Sequence, residues 1–372
     1  MFFMLGAISA SWAARIPAIR APLHLSDQAL GLALLGPAAG AVMAMPAAGA
    51  LLLRRAPRTV VLGALLPLGA VLPFVTVVRD APQLFAVLFG WGCCLGLIDV
   101  AMNTEAVGVQ DRLGQRVMSG FHGWFSLGGL AGAAVGAGSA WADVSVRAQL
   151  IWVSVVVMAT GLTAVARFAP TAGRNLPDSL GGRTRVRWSR ALIALAVIAF
   201  ASFLAEGAAN DWSAVYLRSS LDTSPGLAGA GYTCFALTMA AGRLYGDRLA
   251  DRWGPRLLVR VSSSIGAAGW GAALVVRSPA AALAGLMLLG FGLSSAVPNT
   301  FSQASRLGDV GPALAVVTFC GYGGMLAGPA AIGALAGAVG LPTALAINAC
   351  LAAVVAVLCG VLPSTEGRIT SE

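Results

Sequence analysis

PTAGRNLPDSLGGRTRVRWSR, residues 170–190, is the longest polar stretch in this chain. Its Gly, Pro and Arg content suits a flexible segment on a membrane surface, where basic side chains meet anionic lipid. On both sides of it the sequence is apolar with few interruptions. Of 372 residues, 58% are hydrophobic and 10% charged, whereas a soluble domain carries about 25% charged residues. A water-soluble protein of this length would have to cover its exterior with polar groups, and this one has too few. The composition is that of an integral membrane protein.

A helix crosses the ~30 Å hydrocarbon layer with about 20 residues. That ruler places twelve spans at 1–19, 27–53, 59–78, 83–107, 118–140, 148–167, 191–216, 226–248, 257–276, 280–304, 312–338 and 342–362. The polar stretch divides them six and six. The expected organisation is therefore an N-terminal bundle over 1–167, a linker over 168–190 and a C-terminal bundle over 191–372, ending in a short tail. Span 1 is short, because Met1 already lies in the apolar run and Arg15 ends it. This favours a native start upstream of Met1. No basic segment precedes the run, so no cleavable signal peptide is expected.

Loop arginines set the orientation. Seventeen lie on the side of the N-terminus, and only Arg20, Arg79, Arg147, Arg218 and Arg277 on the other. Both termini are expected in the cytoplasm, with the chain in a cell inner membrane. The formal charge of +9 does not point to nucleic acid, since there is no lysine and the arginines punctuate apolar runs. The six cysteines lie within those runs without metal-ligand or disulfide spacing. No HExxH, GxSxG or P-loop motif occurs. The chain is read as a non-enzyme with no cofactor and no metal.

The halves resemble each other in order. Asn103-Thr104 in span 4 is followed by DRLG, and Asn299-Thr300 in span 10 by SRLG. GGLAGAAVG (128–136) in span 5 is answered by GGMLAGPAAIG (323–333) in span 11, and WAARIP after residue 11 by WSAVYL after residue 211. Ordered matches point to duplication, a common transporter plan. GxxxG pairs fall at Gly36/Gly40, Gly132/Gly136, Gly242/Gly246 and Gly324/Gly328, in spans 2, 5, 8 and 11. Gly92/Gly96 in span 4 also fits, so the pattern by itself is weak. Small residues four apart let helix backbones approach closely.

GDRLADRWGPR (246–256) resembles the loop signature of the major facilitator superfamily, with Asp251, Arg252 and Gly254 matching its core. The first-half counterpart, GALLLRRAPR (49–58), keeps Gly49, Arg54 and Arg58 but has Leu53 where the acid belongs. LIDVAMNT (97–104) is similar to the fourth helix of the fucose-permease-like sugar/proton symporters. SWAARIPAIR and FHGWFSLGGLAG look like an uncharacterised bacterial inner-membrane branch. The resemblance implies an all-α membrane protein whose twelve transmembrane helices form two pseudo-symmetric six-helix bundles, working as a monomer by alternating access. It further implies that helices 1, 4, 7 and 10 line a central cavity, and that helices 2, 5, 8 and 11 form the seam between halves. The paired glycines are accordingly expected at that seam.

Polar side chains at helical spacing mark three of the cavity helices. Asp99 and Asn103 share a face of span 4; Ser202, Glu206, Asn210 and Ser213 follow one face of span 7; Ser295, Asn299 and Gln303 do so in span 10. An ionisable residue at mid-bilayer costs at least ~2.5–3.5 kcal/mol, so its retention asks for a partner, water or a proton. Asp99 is the leading proton-coupling candidate, the alternative being an acid that only bonds helices together. Glu206 is the second, the alternative being an internal ion pair with an arginine. Asn103, Asn210, Asn299 and Gln303 suit hydroxyl recognition, since each amide donates and accepts; interhelical bonding is the competing account. Trp124 and Tyr322 are candidates to stack on a ring-shaped ligand.

Other positions read more plainly. Glu105 is expected to face inner-loop arginines, and Asp211, near the outer end, to be solvated. Trp12 and Trp212 read as interfacial anchors, and Arg15 as snorkelling. His122 is the only histidine within a span, near its inner end, where packing or capping competes with proton relay. Arg243 and Asp247 are four apart and expected to pair at a cytoplasmic gate with Gly246, Asp251, Arg252 and Gly254. The sequence thus points to a secondary transporter of a small polar, sugar-like solute with protons as partner. A proton-driven exporter of hydrophobic drugs and a non-transporting membrane sensor are the rival readings.

Overall fold

The computed structural model describes residues 1–113, 118–167, 188–304, 307 and 310–362. Among them all regular structure is helical, as expected where lipid leaves backbone groups no other partner. Every expected span coincides with a helix or a run of helices. Ten are long and apolar enough to cross a membrane: Phe2–Leu23, Asp27–Leu52, Pro57–Thr76, Ala81–Ala106, Val146–Ala166, Arg190–Ser220, Pro255–Val276, Pro279–Ala304, Val316–Val339 and Leu341–Val361. The other two, spans 5 and 8, are the helices Met118–Trp141 and Pro225–Trp253.

Starts follow side-chain chemistry. Ser26, Ser145, Ser189 and Ser278 each accept a hydrogen bond from the amide three residues on, capping spans 2, 6, 7 and 10. Pro57, Pro225, Pro255 and Pro279 open their helices, where a missing N–H is harmless. Ends depart from the apolar ruler. Span 1 continues to Leu23, span 4 to Leu113, span 7 to Ser220 and span 8 to Trp253. Polar residues past the hydrocarbon edge still support a helix, so hydropathy marks the lipid layer and not the end of the helix. Span 1 is also broken: Phe2–Ser11 passes through a 3₁₀ turn at Ala13–Arg15 into Ile16–Leu23. Pro17 explains it, because its ring clashes with the carbonyl four residues back and it has no N–H to donate.

The chain divides into two compact units, Met1–Leu180 with Ser224–Gly229, and Gly181–Thr223 with Ala230–Glu372. The first break on the chain falls within 168–187, outside the described residues.

Within unit 1, span 2 packs on span 4 and span 1 on span 5 through glycines. A Cβ at Gly36 or Gly40 would meet the backbone of Phe85 and Phe89, and one at Gly92 or Gly96 that of Pro37 and Ala41. Gly128, Gly132 and Gly136 face the carbonyls of Phe3, Ala7 and Ser11. Unit 2 uses equivalent pairs: Gly324 faces the carbonyl of Phe200 (spans 11 and 7), and Gly290 that of Phe235 (spans 10 and 8). This corrects the expectation that the paired glycines belong to a seam between halves. Their close contacts are with helices of their own unit, because backbone-to-backbone approach is what a missing side chain permits. Gly246 meets nothing within 4 Å and is no packing glycine.

The contrast between two glycines in one helix is testable. Gly132→Ala drives a methyl into the Ala7 carbonyl and should destabilise the protein by about 1–3 kcal/mol. Gly138→Ala, where the space is open, should stabilise it by about 0.4–1 kcal/mol. Thermal unfolding of both variants in detergent reads the opposite signs.

Candidate functional site

Asp99 and Asn103 stand one turn apart on span 4 and are joined. The Asn103 Nδ2 donates to Asp99 Oδ1 at 3.0 Å and to the Asp99 backbone oxygen at 2.9 Å. Both side chains are half-buried. Two residues past Asn103, Glu105 is buried and paired with Arg112 Nη2 at 3.1 Å, one of the arginines it was expected to face. Trp124 on span 5 is 58% exposed and meets Phe3 edge-on at 6.2 Å. The side chains of His122 and Asp247 lie outside the described residues.

In unit 2, Asn299 repeats the arrangement of Asn103: its Nδ2 donates to the Ser295 backbone oxygen at 2.7 Å. At the position matching Asp99, however, stands a serine. Ser295 Oγ is shared with Ser262 Oγ at 3.1 Å, a link between spans 9 and 10 that no spacing in the sequence announces. Gln303 is half-buried one turn beyond Asn299. Tyr322 stacks on Phe203 at 6.3 Å.

Span 7 carries an ion pair. Arg243 Nη2 on span 8 lies 3.0 Å from Glu206 Oε2 and 3.3 Å from Oε1. Of the two readings open for Glu206, the internal pair is the one present. Span 8 stands beside span 7 and brings Arg243 to Glu206, while the expected pairing of Arg243 with Asp247 involves a side chain outside the described residues. Asn210 Nδ2 donates to Asp211 Oδ1 at 2.7 Å, and the hydroxyl of Tyr232 lies within electrostatic reach of Glu206, Asp211 and Arg243.

Four expectations need correction, for a shared reason. Asp211 is not solvated but 8% exposed, and Trp212 is fully buried where an interfacial anchor was expected. Trp12 is buried too, packed edge-on against Trp91 at 6.0 Å. Arg15 does not snorkel; it is 6% exposed and donates from Nη2 to the Val144 carbonyl at 2.6 Å. In each case the side chain is enclosed by the protein itself, which position along a single span does not reveal.

At the proposed gate, Gly246–Trp253 is helical and the turn is confined to Gly254, whose φ of 79° favours a residue without Cβ. The loop signature is thus a helix end plus one glycine. Asp251 and Arg252 are exposed there. Arg256, two residues past the matched core, donates from Nε to the Leu362 carbonyl at 2.9 Å and ties the start of span 9 to the end of span 12. Among the described residues no group of three or more His, Cys, Asp or Glu is placed to hold a metal.

The family model that matches this chain is that of the Major Facilitator Superfamily, over residues 1–307 and 195–370. The chain belongs to that superfamily. An uncharacterised MFS-type transporter of Yersinia pestis is 37% identical over 343 residues, spanning 90% of this chain and 87% of the relative. Among solved structures, nucleoside transporter NupG in a single-residue variant superposes with a TM-score of 0.74 over 96% of both chains at 13% identity. A D-xylose-proton symporter gives 0.72 over 99% and 97%, also at 13% identity. These structural likenesses concern the fold. The protein is a multi-pass membrane transporter of the major facilitator kind, with the two-bundle fold of that superfamily and a small-molecule substrate.

The Glu206–Arg243 pair makes a prediction in this fold. Removing one partner from a fully buried pair costs about 3–5 kcal/mol, and less here because about a quarter of each side chain is exposed (25% and 29%). Glu206→Gln and Arg243→Gln should each lower the unfolding temperature in detergent. The double variant should recover part of the loss, since neither charge is then orphaned.

Proposed function

We propose that this transporter moves a small polar, sugar-like solute across the cell inner membrane by alternating access, coupled to protons through Asp99. The observation that carries this reading is the difference between Asp99 and Ser295. In both halves an asparagine one turn on bonds back to the backbone oxygen of that position, at 2.9 and 2.7 Å. The second half makes the bond with a serine, so the fold does not need a carboxylate there. A carboxylate kept in the lipid-embedded fourth span at a cost of at least ~2.5–3.5 kcal/mol has another use, and carrying a proton is the one a carboxyl performs best. With the proton on Oδ2, the Asn103 amide still donates to Oδ1; when the proton leaves, the charge needs water, and only an opened pathway supplies it. Desolvation favours the neutral form of such a group, so its protonation follows access.

Asn103, Asn299, Gln303 and Asn210 are the amides proposed to meet solute hydroxyls, each as donor and acceptor, with Trp124 and Tyr322 as stacking surfaces. The D-xylose-proton symporter and NupG are fold relatives whose named solutes are polar, which supports this solute class. We further propose a monomer with bundles at 1–167 and 191–372 joined by a linker at 168–190, both termini cytoplasmic. Arg243, Gly246, Asp247, Asp251, Arg252 and Gly254 are read as the cytoplasmic gate.

A ligand thermal-shift screen on purified protein tests the reading, run on wild type and Asp99→Asn at two pH values. A ligand at a hundred times its Kd stabilises the folded state by about 2.7 kcal/mol. The expected outcome is a sugar-like hit whose pH dependence vanishes in Asp99→Asn. Identical binding by the variant at both pH values makes Asp99 structural and removes the coupling proposal. Hits confined to hydrophobic cations replace the polar-solute reading with drug export.

A further inference from the structure

Asp211 belongs to no part of the function argued above, and its surroundings are unusual. It is 8% exposed and lies in the membrane-crossing helix Arg190–Ser220, nine residues before its end. Among the described residues its one hydrogen bond comes from Asn210 Nδ2 at 2.7 Å, and no arginine lies within ion-pair distance. Helices Pro279–Ser294, Ala296–Ala304, Val310–Val339, Leu341–Ala344 and Ala346–Leu358 and the turn Cys359–Val361 pack against span 7. None of them carries Asp, Glu, Arg, Lys or His; their titratable groups are Cys320, Tyr322, Cys350 and Cys359.

From span 8 the group that bears on Asp211 is Tyr232, which also feels Glu206 and Arg243; the other titratable or charged residues nearest it on its own helix are Glu206, Tyr216 and Arg218. Arg218 is held at the outer helix end, with Nη1 on the Thr223 carbonyl at 2.5 Å. Arg243 is engaged by Glu206 at 3.0 Å. Among the described side chains of spans 7 and 8 between residues 195–216 and 226–246 there are two carboxyls, Glu206 and Asp211, and one guanidinium, Arg243, which is engaged by Glu206. An ionised Asp211 would be a buried charge without a counter-ion, the arrangement proteins avoid by keeping the group neutral.

We propose that Asp211 carries an exchangeable proton and is a second proton site of the transporter, located in the C-terminal unit, while Glu206 stays ionised against Arg243. The proposal rests on the proton-coupled reading for its part in transport, although the proton itself is detectable without any solute. Exchange breaks the Asp211 O–H bond, passes H⁺ to water and leaves the electron pair on the carboxylate. Asn210 donates to Oδ1 in either state and acts as a positioning residue.

Infrared spectroscopy of the full chain in liposomes, without solute, tests this through the carbonyl stretch of protonated carboxylic acids and its shift in deuterated water. At neutral pH wild type should show such a band; Asp211→Asn should lose its Asp211 component and Glu206→Gln should keep it. A band undiminished in Asp211→Asn overturns the proposal. If that variant fails to fold, Asn210→Leu serves: the Asp211 component should persist at a shifted frequency, and an unchanged frequency counts against the site. Loss of the component when sodium replaces choline in the buffer would make this a metal-cation site and refute the proton assignment. Asp99→Asn, measured alongside, removes a separate component if Asp99 also holds a proton, so the two proposals fail independently.

Discussion

The absence of hydrogen-bonding solvent in a bilayer is the constraint on which this structure depends. Each backbone polar group in a span has to find its partner within the protein. The backbone does so by staying helical, and several short polar side chains bond back along their own helix. Thr104 donates to the Val100 carbonyl at 2.8 Å, Asn103 to that of Asp99 at 2.9 Å and Asn299 to that of Ser295 at 2.7 Å. Where a side chain is too long or too charged for that, another helix supplies the partner, as span 8 does for Glu206.

With no water to drive apolar surfaces together, close packing must hold helices in pairs. The glycines do this within each unit, and the same pairs recur: span 1 with 5 and 2 with 4, then 7 with 11 and 8 with 10. Duplication is thus visible twice, as ordered sequence matches and as repeated glycine contacts. The halves part company in their charges. Unit 1 keeps Asp99 and a buried Arg15; unit 2 has Ser295 opposite Asp99, with the Glu206–Arg243 pair and Asp211 on spans 7 and 8. A scaffold built by repetition carries a different set of ionisable groups in each half.

Much of the site was legible as spacing. Asp99 with Asn103, and Ser295 with Asn299, follow from a four-residue interval on a helix, and Glu105 with Arg112 from two turns of the same helix. Contacts between helices were not legible. Ser262 with Ser295, Arg243 with Glu206, and Arg256 with Leu362 join residues 33, 37 and 106 apart. Asp211 was misread because nearness to a span end was taken as exposure to water, whereas the side chain is enclosed by the protein.

By itself the sequence determined the membrane class, the twelve spans, the internal repeat and the superfamily, because these depend on composition and on periodicity along one chain. Only the tertiary structure decided which acids are paired, which tryptophans are buried and which helices the glycines join. Those outcomes depend on which helix stands beside which, and a local pattern holds no information about a neighbour that is distant in the chain.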